Sequence, residues 1–180
     1  TSELMTRWMS IAAFTPFYRA HKMIDMPSSE PWCFGDINTE LNRYYMNLRY
    51  RFMPYMYSAM KNNESPVLKS MGYYVSNENS QNCFNEKFES EFVLGNSMLI
   101  CPARSNAKSI EVYFPHTDSK TAAWYSIHSD IRYKQGTTAF VAAPMSQLPI
   151  FVKAGSVMPE IIPSKIENTQ SKSDTLLLHV

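Results

Sequence analysis

The chain has 180 residues with Lys+Arg 17 against Asp+Glu 16, a formal net charge of +1, so no surplus of positive charge stands ready to displace counterions from a nucleic acid. Hydrophobic residues make up 44% and charged residues 18%, the balance of a chain that buries a core instead of staying disordered. No apolar run approaches the ~20 residues that cross a bilayer, and the N-terminus lacks the basic-then-apolar order of a secretory signal. The chain opens Thr1-Ser2-Glu3-Leu4-Met5 without an initiating Met. It reads as the first turn of a helix already inside a domain, and we take it as a fragment or a processed chain.

Leu4, Met5, Trp8, Met9, Ala12 and Ala13 recur at helical spacing, which predicts a helix over about residues 2 to 13 with Ser2 as its cap and Glu3 favourable beside its N-terminus. Phe14-Thr15-Pro16-Phe17-Tyr18 has no helical period, and its aromatic, nearly continuous apolar character predicts a short buried strand, with Pro16 at an edge or strand end. Lys22 to Asn38 holds Pro27, Ser28, Ser29, Pro31 and Gly35 and is therefore a long irregular loop.

Leu41, Tyr44, Tyr45, Leu48, Phe52, Met56 and Met60 then share one face of a helix predicted over about residues 39 to 61, capped by Asn38 or Thr39 and kinked by Pro54, with Arg43, Asn47, Arg49 and Arg51 largely elsewhere. After Ser65 short β-rich runs alternate with turn residues: Phe92 to Leu94, Met98 to Cys101, Ile110 to Phe114, Ala123 to Ile127, Thr138 to Ala142, Ile150 to Lys153 and Thr175 to Val180. That rhythm predicts an antiparallel β-sandwich over 65–180 behind an α/β unit over 1–64, with Val75 to Asn85 and Ser164 to Asp174 as surface connections. An end inside the apolar run Leu176 to Val180 predicts that the sandwich continues beyond residue 180. Cys33, Cys83 and Cys101 are an odd count with no Cys-x-x-Cys spacing, which excludes a zinc ribbon and a dense disulfide framework and leaves one pairing open.

Arg19 and His21 follow the predicted strand and head the irregular loop. In an α/β barrel that end of a strand opens into the active site, where a cation and an imidazole meet substrate. The alternative is that Arg19 pairs with a buried carboxylate and His21 is a hydrogen-bonded loop residue. Spacing alone leaves both readings open.

Glu3-Leu4 with Arg7-Trp8-Met9, the run Ala13 to His21, and Glu30-Pro31-Trp32 resemble the C-terminal end of the catalytic barrel in glycoside hydrolase family 31, the retaining α-glucosidases. Leu48 to Tyr57, internal proline included, resembles that family's last barrel helix. Leu94 to Pro102, Val112-Tyr113-Phe114-Pro115, Trp124-Tyr125 and Leu148 to Pro159 resemble, in the same order, the β-sandwich that follows the barrel. The likeness runs from about residue 2 to at least 160.

The resemblance implies a fold, the last helix-strand-helix part of a (β/α)8 barrel followed by a β-sandwich, and a division into 1–64 and 65–180. It also implies an activity, hydrolysis of terminal α-linked glucose without metal or organic cofactor, with the rest of the same enzyme as partner and an α-glucoside as substrate. The family's nucleophile and acid/base are a pair of aspartates. Neither motif is matched among these residues, so both are expected upstream of this chain. His21 aligns with the histidine that hydrogen-bonds sugar hydroxyls in the −1 subsite and Arg19 with the arginine bracing the site beside it. An imidazole donates from one nitrogen and accepts at the other, which suits that work.

Where the family writes Pro-Val-x-Arg-Pro-Leu, this chain has Pro66-Val67-Leu68-Lys69-Ser70-Met71, so an arginine fork becomes the point charge of Lys69, which bears on the packing of barrel on sandwich. Trp32 offers a face to a pyranose, but we favour a loop anchor packed under the barrel rim. For Trp124-Tyr125 we favour strand packing over a carbohydrate-binding surface. Asn63-Glu64-Ser65 satisfies the N-glycosylation pattern and points to a lysosomal, secreted or endoplasmic-reticulum setting. The competing reading is a family homologue that has lost catalysis and serves as a structural or carbohydrate-binding subunit of an assembly.

Overall fold

The structure is a computed structural model, described here for residues 1–61, 66–75, 81–117, 123–163 and 175–179. Three helices form the N-terminal part: α1 (Ser2–Ala12), α2 (Asp36–Arg51) and α3 (Met53–Lys61). Thr1, not Ser2, caps α1, its hydroxyl accepting from the Leu4 N–H. Helix α2 starts three residues before Thr39, behind Gly35, whose φ of 90° closes the irregular segment without a side-chain cap. Asn38 and Thr39 lie in its first turn, where the Thr39 hydroxyl and N–H both reach the Gly35 carbonyl. The expected kink falls at Phe52, which separates α2 from α3. That break sets Pro54 in the first turn of α3, where a missing N–H costs nothing.

Among the described residues ten short strands follow: β1 (Leu68–Ser70), β2 (Phe92–Leu94), β3 (Met98–Ile100), β4 (Ser109–Phe114), β5 (Ala123–Ser126), β6 (Arg132–Lys134), β7 (Thr137–Ala142), β8 (Ile150–Lys153), β9 (Met158–Glu160) and β10 (Leu177–His179), with a helical turn α4 (Met71–Tyr74) after β1. Six of them make an antiparallel sheet in the order β1-β2-β3-β8-β5-β6, and β4 pairs β7 while β9 pairs β10. Strands β1, β6 and β9 had no clear signal, being three residues long and carrying Lys, Arg or Pro.

The six-stranded sheet is covered on both faces. Met98, Ile100, Leu94 and Ile150 pack against Tyr45, Leu48, Phe52, Tyr55 and Met56 of α2 and α3. Leu99, Val93, Phe151 and Trp124 face the other way, into a second core with Val112, Tyr113 and Phe114 of β4 and Val141 of β7. Covering both faces explains why Met98, Leu99 and Ile100 are all fully buried and why β3 reads as an unbroken apolar run. Trp124 is core, as expected, with its indole N–H donating to the Pro115 carbonyl at 2.9 Å.

The helices are also tied to the sheet layer by polar bonds. Tyr55 Oη donates to the Leu94 carbonyl at 2.8 Å and accepts from the Ser97 N–H at 3.2 Å. Gly95 permits that approach, since a Cβ there would stand 2.6 Å from the Tyr55 hydroxyl. Tyr45 Oη does the same for the segment before β8, donating to Met145 O at 3.2 Å and accepting from Leu148 N at 3.1 Å. Lys69, where the family pattern has arginine, is buried and hydrogen-bonds the Asn96 side chain.

One predicted element is not formed. Residues 14 to 18 are not a strand. The helix ends in a turn, with Phe14 N on Ile11 O and Thr15 N on Ala12 O, and Phe14 is buried while Phe17 is exposed. Strands exist by pairing; every described strand of this chain lies beyond residue 66 and none adjoins this segment.

Candidate functional site

Arg19 and His21 lie in the irregular stretch between α1 and α2, residues 17–35. Both are exposed, and among the described residues neither makes a hydrogen bond or an ion pair. What is ordered is the frame around them.

Arg49 of α2 fixes the N-terminal end of the stretch. Its guanidinium donates to the carbonyls of Ala12, Ala13, Thr15 and Pro16 at 3.3, 3.1, 2.6 and 3.1 Å, and its Cζ stands 5.0 Å from the centre of the Tyr18 ring. One side chain thus serves the helix-end carbonyls of Ala12 and Ala13 and the Thr15 and Pro16 carbonyls that a strand would have offered to a neighbour. The Tyr18 hydroxyl meets Met9 Sδ at 3.5 Å. Burial pushes its pKa up to about 12, against the opposing pull of Arg49, so the ring stays a neutral phenol. Desolvation also lowers the pKa of Arg49, though not enough to discharge a guanidinium.

The C-terminal end of the stretch is pinned by two asparagines of α2. Asn42 Nδ2 donates to Pro31 O at 2.7 Å, and Asn38 Nδ2 donates to Phe34 O at 2.9 Å while its oxygen accepts from the Thr6 hydroxyl of α1. Between the two anchors, Lys22 lies 3.4 Å from Glu30, and Cys33 Sγ donates to Glu30 at 3.1 Å. The Cys33 thiol, a backbone hydrogen bond and Lys22 together hold the Glu30 carboxyl down at about 2. Trp32 is 67% exposed and does not pack as a loop anchor. Cys33 is exposed and Cys83 and Cys101 are buried, all three as free thiols, so the open pairing is not made. Asn63 lies outside the described residues.

Arg49, Asn38 and Asn42 are the positions that sequence reasoning missed. The helical pattern sets Arg49 away from the apolar face; the available signal is its place in the turn between buried Leu48 and Phe52, where an arginine must find acceptors. Among the described residues no group of three or more His, Cys, Asp or Glu side chains is arranged to hold a metal ion. No helix among them is long and apolar enough to cross a membrane.

Residues 1–59 match the family model for the glycosyl hydrolases family 31 TIM-barrel domain, and residues 64–158 match that for the glycosyl hydrolase family 31 C-terminal domain. The chain belongs to glycosyl hydrolase family 31. It is 31% identical over 161 residues to alpha-glucosidase 2 of Bacillus thermoamyloliquefaciens, covering 87% of this chain and 19% of that protein. Among solved structures it is similar to a family 31 dextranase from Flavobacterium johnsoniae, complexed with isomaltotriose, at 28% identity and a TM-score of 0.78 over 88% of this chain and 19% of that one. It is also similar to the endoplasmic-reticulum glucosidase II complex of a catalytic subunit with the binding domain of a regulatory subunit, at 25% identity and a TM-score of 0.78 over 88% of this chain and 17% of the matched one. The chain thus spans about a fifth of the length of these relatives. The expected fold class stands: the end of the barrel carried by helices, then antiparallel β-structure.

Proposed function

We propose that this chain is part of a retaining α-glucosidase that releases terminal α-linked glucose from oligosaccharides or glycans. The observation that carries the reading is the unbroken order of the two family matches, barrel end then C-terminal domain, in a chain whose relatives include α-glucosidases. The two catalytic carboxylates are supplied by residues outside these 180, upstream in the barrel, since neither motif occurs here and the chain spans only about a fifth of such a protein. The barrel portion occupies 1–64 and the sandwich 65–180.

Within this chain Arg19 and His21 are the substrate-facing residues. The physical support is that both are exposed at the head of a segment anchored at each end, by Arg49 and by Asn38 and Asn42. A side chain on an anchored backbone meets hydroxyls without a large ordering cost. A glycan on Asn63 and residence in the endoplasmic reticulum, the lysosome or outside the cell go with this reading, and a relative in the endoplasmic reticulum supports it. The deciding measurement is release of p-nitrophenol from its α-glucoside by the full-length protein. Turnover supports the reading; no turnover, in a protein whose upstream aspartates are absent, replaces it with the catalytically inactive homologue.

A further inference from the structure

A groove of about 580 Å³ opens between α2, strands β5 and β8 of the six-stranded sheet and the β9–β10 pair, a volume suited to a small ligand. Its floor is the helix-facing side of β5 and β8. There Tyr125 stands in register with Val152, while its neighbour Trp124 is turned into the second core. Tyr44 of α2 forms part of the wall. Tyr44 and Tyr125 are 40% and 41% exposed, so each offers ring surface to whatever enters.

The polar groups are held firmly. Glu160 is buried, and its Oε2 accepts from Arg51 Nε at 3.0 Å and Nη2 at 2.5 Å, with His179 Nε2 3.5 Å from its other oxygen. That leaves Nη1 of an immobilised guanidinium without a partner among the described residues. His128 Nε2 lies 2.7 Å from the Leu148 carbonyl, which only accepts, so the ring donates there and keeps Nδ1 as an acceptor when neutral. Burial lowers the His128 pKa and favours that neutral form. Asp130 is exposed in the turn beside it, and Gly155, at φ 77°, leaves open space where a side chain would stand.

These contents select a ligand class. An anion would face Glu160 and Asp130, a cation would face Arg51 and Lys153, and a purely apolar molecule would leave donors and acceptors unpaired. A neutral polyhydroxylated ring meets all of them, with its C–H face on a tyrosine and its hydroxyls on fixed donors and acceptors. We propose that this groove binds an α-glucan chain, seating glucosyl units on Tyr44 and Tyr125. The choice of an α-glucan over other saccharides rests on the α-glucosidase reading; the groove itself does not.

The test uses the full-length protein in native gels containing soluble starch or dextran, alongside kcat/KM on p-nitrophenyl α-glucoside. Slowing of the wild type by either polymer is expected, and which polymer slows it says which linkage is taken. Tyr125→Ala and Asp130→Ala should each weaken that association about fivefold, the size expected for losing one stacked ring or one hydrogen-bonding group, with aryl-glucoside turnover within about twofold of wild type. Tyr125→Phe keeps the ring and should keep most of the binding. If Tyr125→Ala does not fold, Asp130→Ala, in an exposed turn, decides alone. No slowing of the wild type in either gel, or slowing that neither alanine variant changes, overturns the proposal. Absence of aryl-glucoside turnover in the wild type counts against the enzymatic reading only, because the gels still report on the groove.

Discussion

The Arg49 guanidinium stands 5.0 Å from the Tyr18 ring centre while donating to the Thr15 carbonyl at 2.6 Å. One side chain on α2 thereby orients the backbone just before Arg19 and His21. Replacing it by lysine keeps a charge but loses the planar fork that serves four carbonyls and the face that stacks on an aromatic ring.

Arg49→Lys is therefore expected to destabilise the protein by about 1–3 kcal/mol through carbonyls left without donors. It should also lower kcat/KM on an aryl α-glucoside by more than the fall in stability explains, because residues 17–21 lose their anchor. Denaturant titration and steady-state kinetics of the full-length variant check this. Unchanged kinetics in a destabilised variant would show that the anchor serves the fold alone.

His21 is expected to behave differently. It is exposed and bonded to nothing among the described residues, so His21→Ala should leave the melting temperature within a degree or two while lowering kcat/KM about tenfold or more, contacts made at the transition state being worth more than the ~0.5–1.5 kcal/mol of an ordinary hydrogen bond. His21→Asn, which keeps a donor and an acceptor, should recover part of the loss. A stability defect with normal kinetics would reverse the assignment.

Tyr45 and Tyr55 each hold one donor and one acceptor of the sheet layer through a buried hydroxyl. Tyr45→Phe and Tyr55→Phe should each cost about 1–3 kcal/mol, since removal strands a backbone N–H and a carbonyl at once. Equilibrium unfolding measures it. A change under half a kilocalorie in both would mean that water replaces the hydroxyl, contrary to their burial.

Glu91 gives a pH dependence of unusual sign. It is 4% exposed; its Oε1 accepts from Tyr113 N at 3.1 Å, and its Oε2 has no partner among the described residues. Burial raises its pKa to about 8, only partly opposed by the Tyr113 bond. Arg7 of α1, Glu86, Lys87 and Glu89 before β2, Arg104 before β4 and Glu111 of β4 line the same cleft, and Cys101 is close enough to feel its charge. Between the unfolded value of about 4.3 and about 8 the folded state keeps a proton that the unfolded chain has lost, so stability falls with rising pH across that window, by up to about 1.4 kcal/mol per pH unit, and is flat in this respect outside it. Glu91→Gln should remove the slope and be more stable than wild type at pH 8. Melting temperatures from pH 4.5 to 8.5 test it, and a slope shared by both proteins would place the charge elsewhere.

Local features of this chain are legible in its sequence because they are decided within a few residues. Pro54 breaks the helix wherever the chain goes, since it has no N–H to give; the apolar runs of β2, β3, β5 and β8 bury by composition, and turns of Gly and Asn separate them. The resemblance from Glu3 to Pro159 reached the family for the same reason, many short motifs kept in one order. Other features depend on what a segment meets. Residues 14 to 18 have the composition of a strand but no strand beside them, and the carbonyls of Thr15 and Pro16 went to Arg49, 34 and 33 residues away. Glu91 is ordinary in sequence and became a buried, half-satisfied carboxyl only where β4 and α1 closed over it. Tyr125, adjacent to a core tryptophan, acquired an open face because alternate side chains of a strand leave on opposite sides and α2 covers only part of its side. Pairing, desolvation and groove shape are properties of groups distant in the chain, so only the tertiary structure decided them.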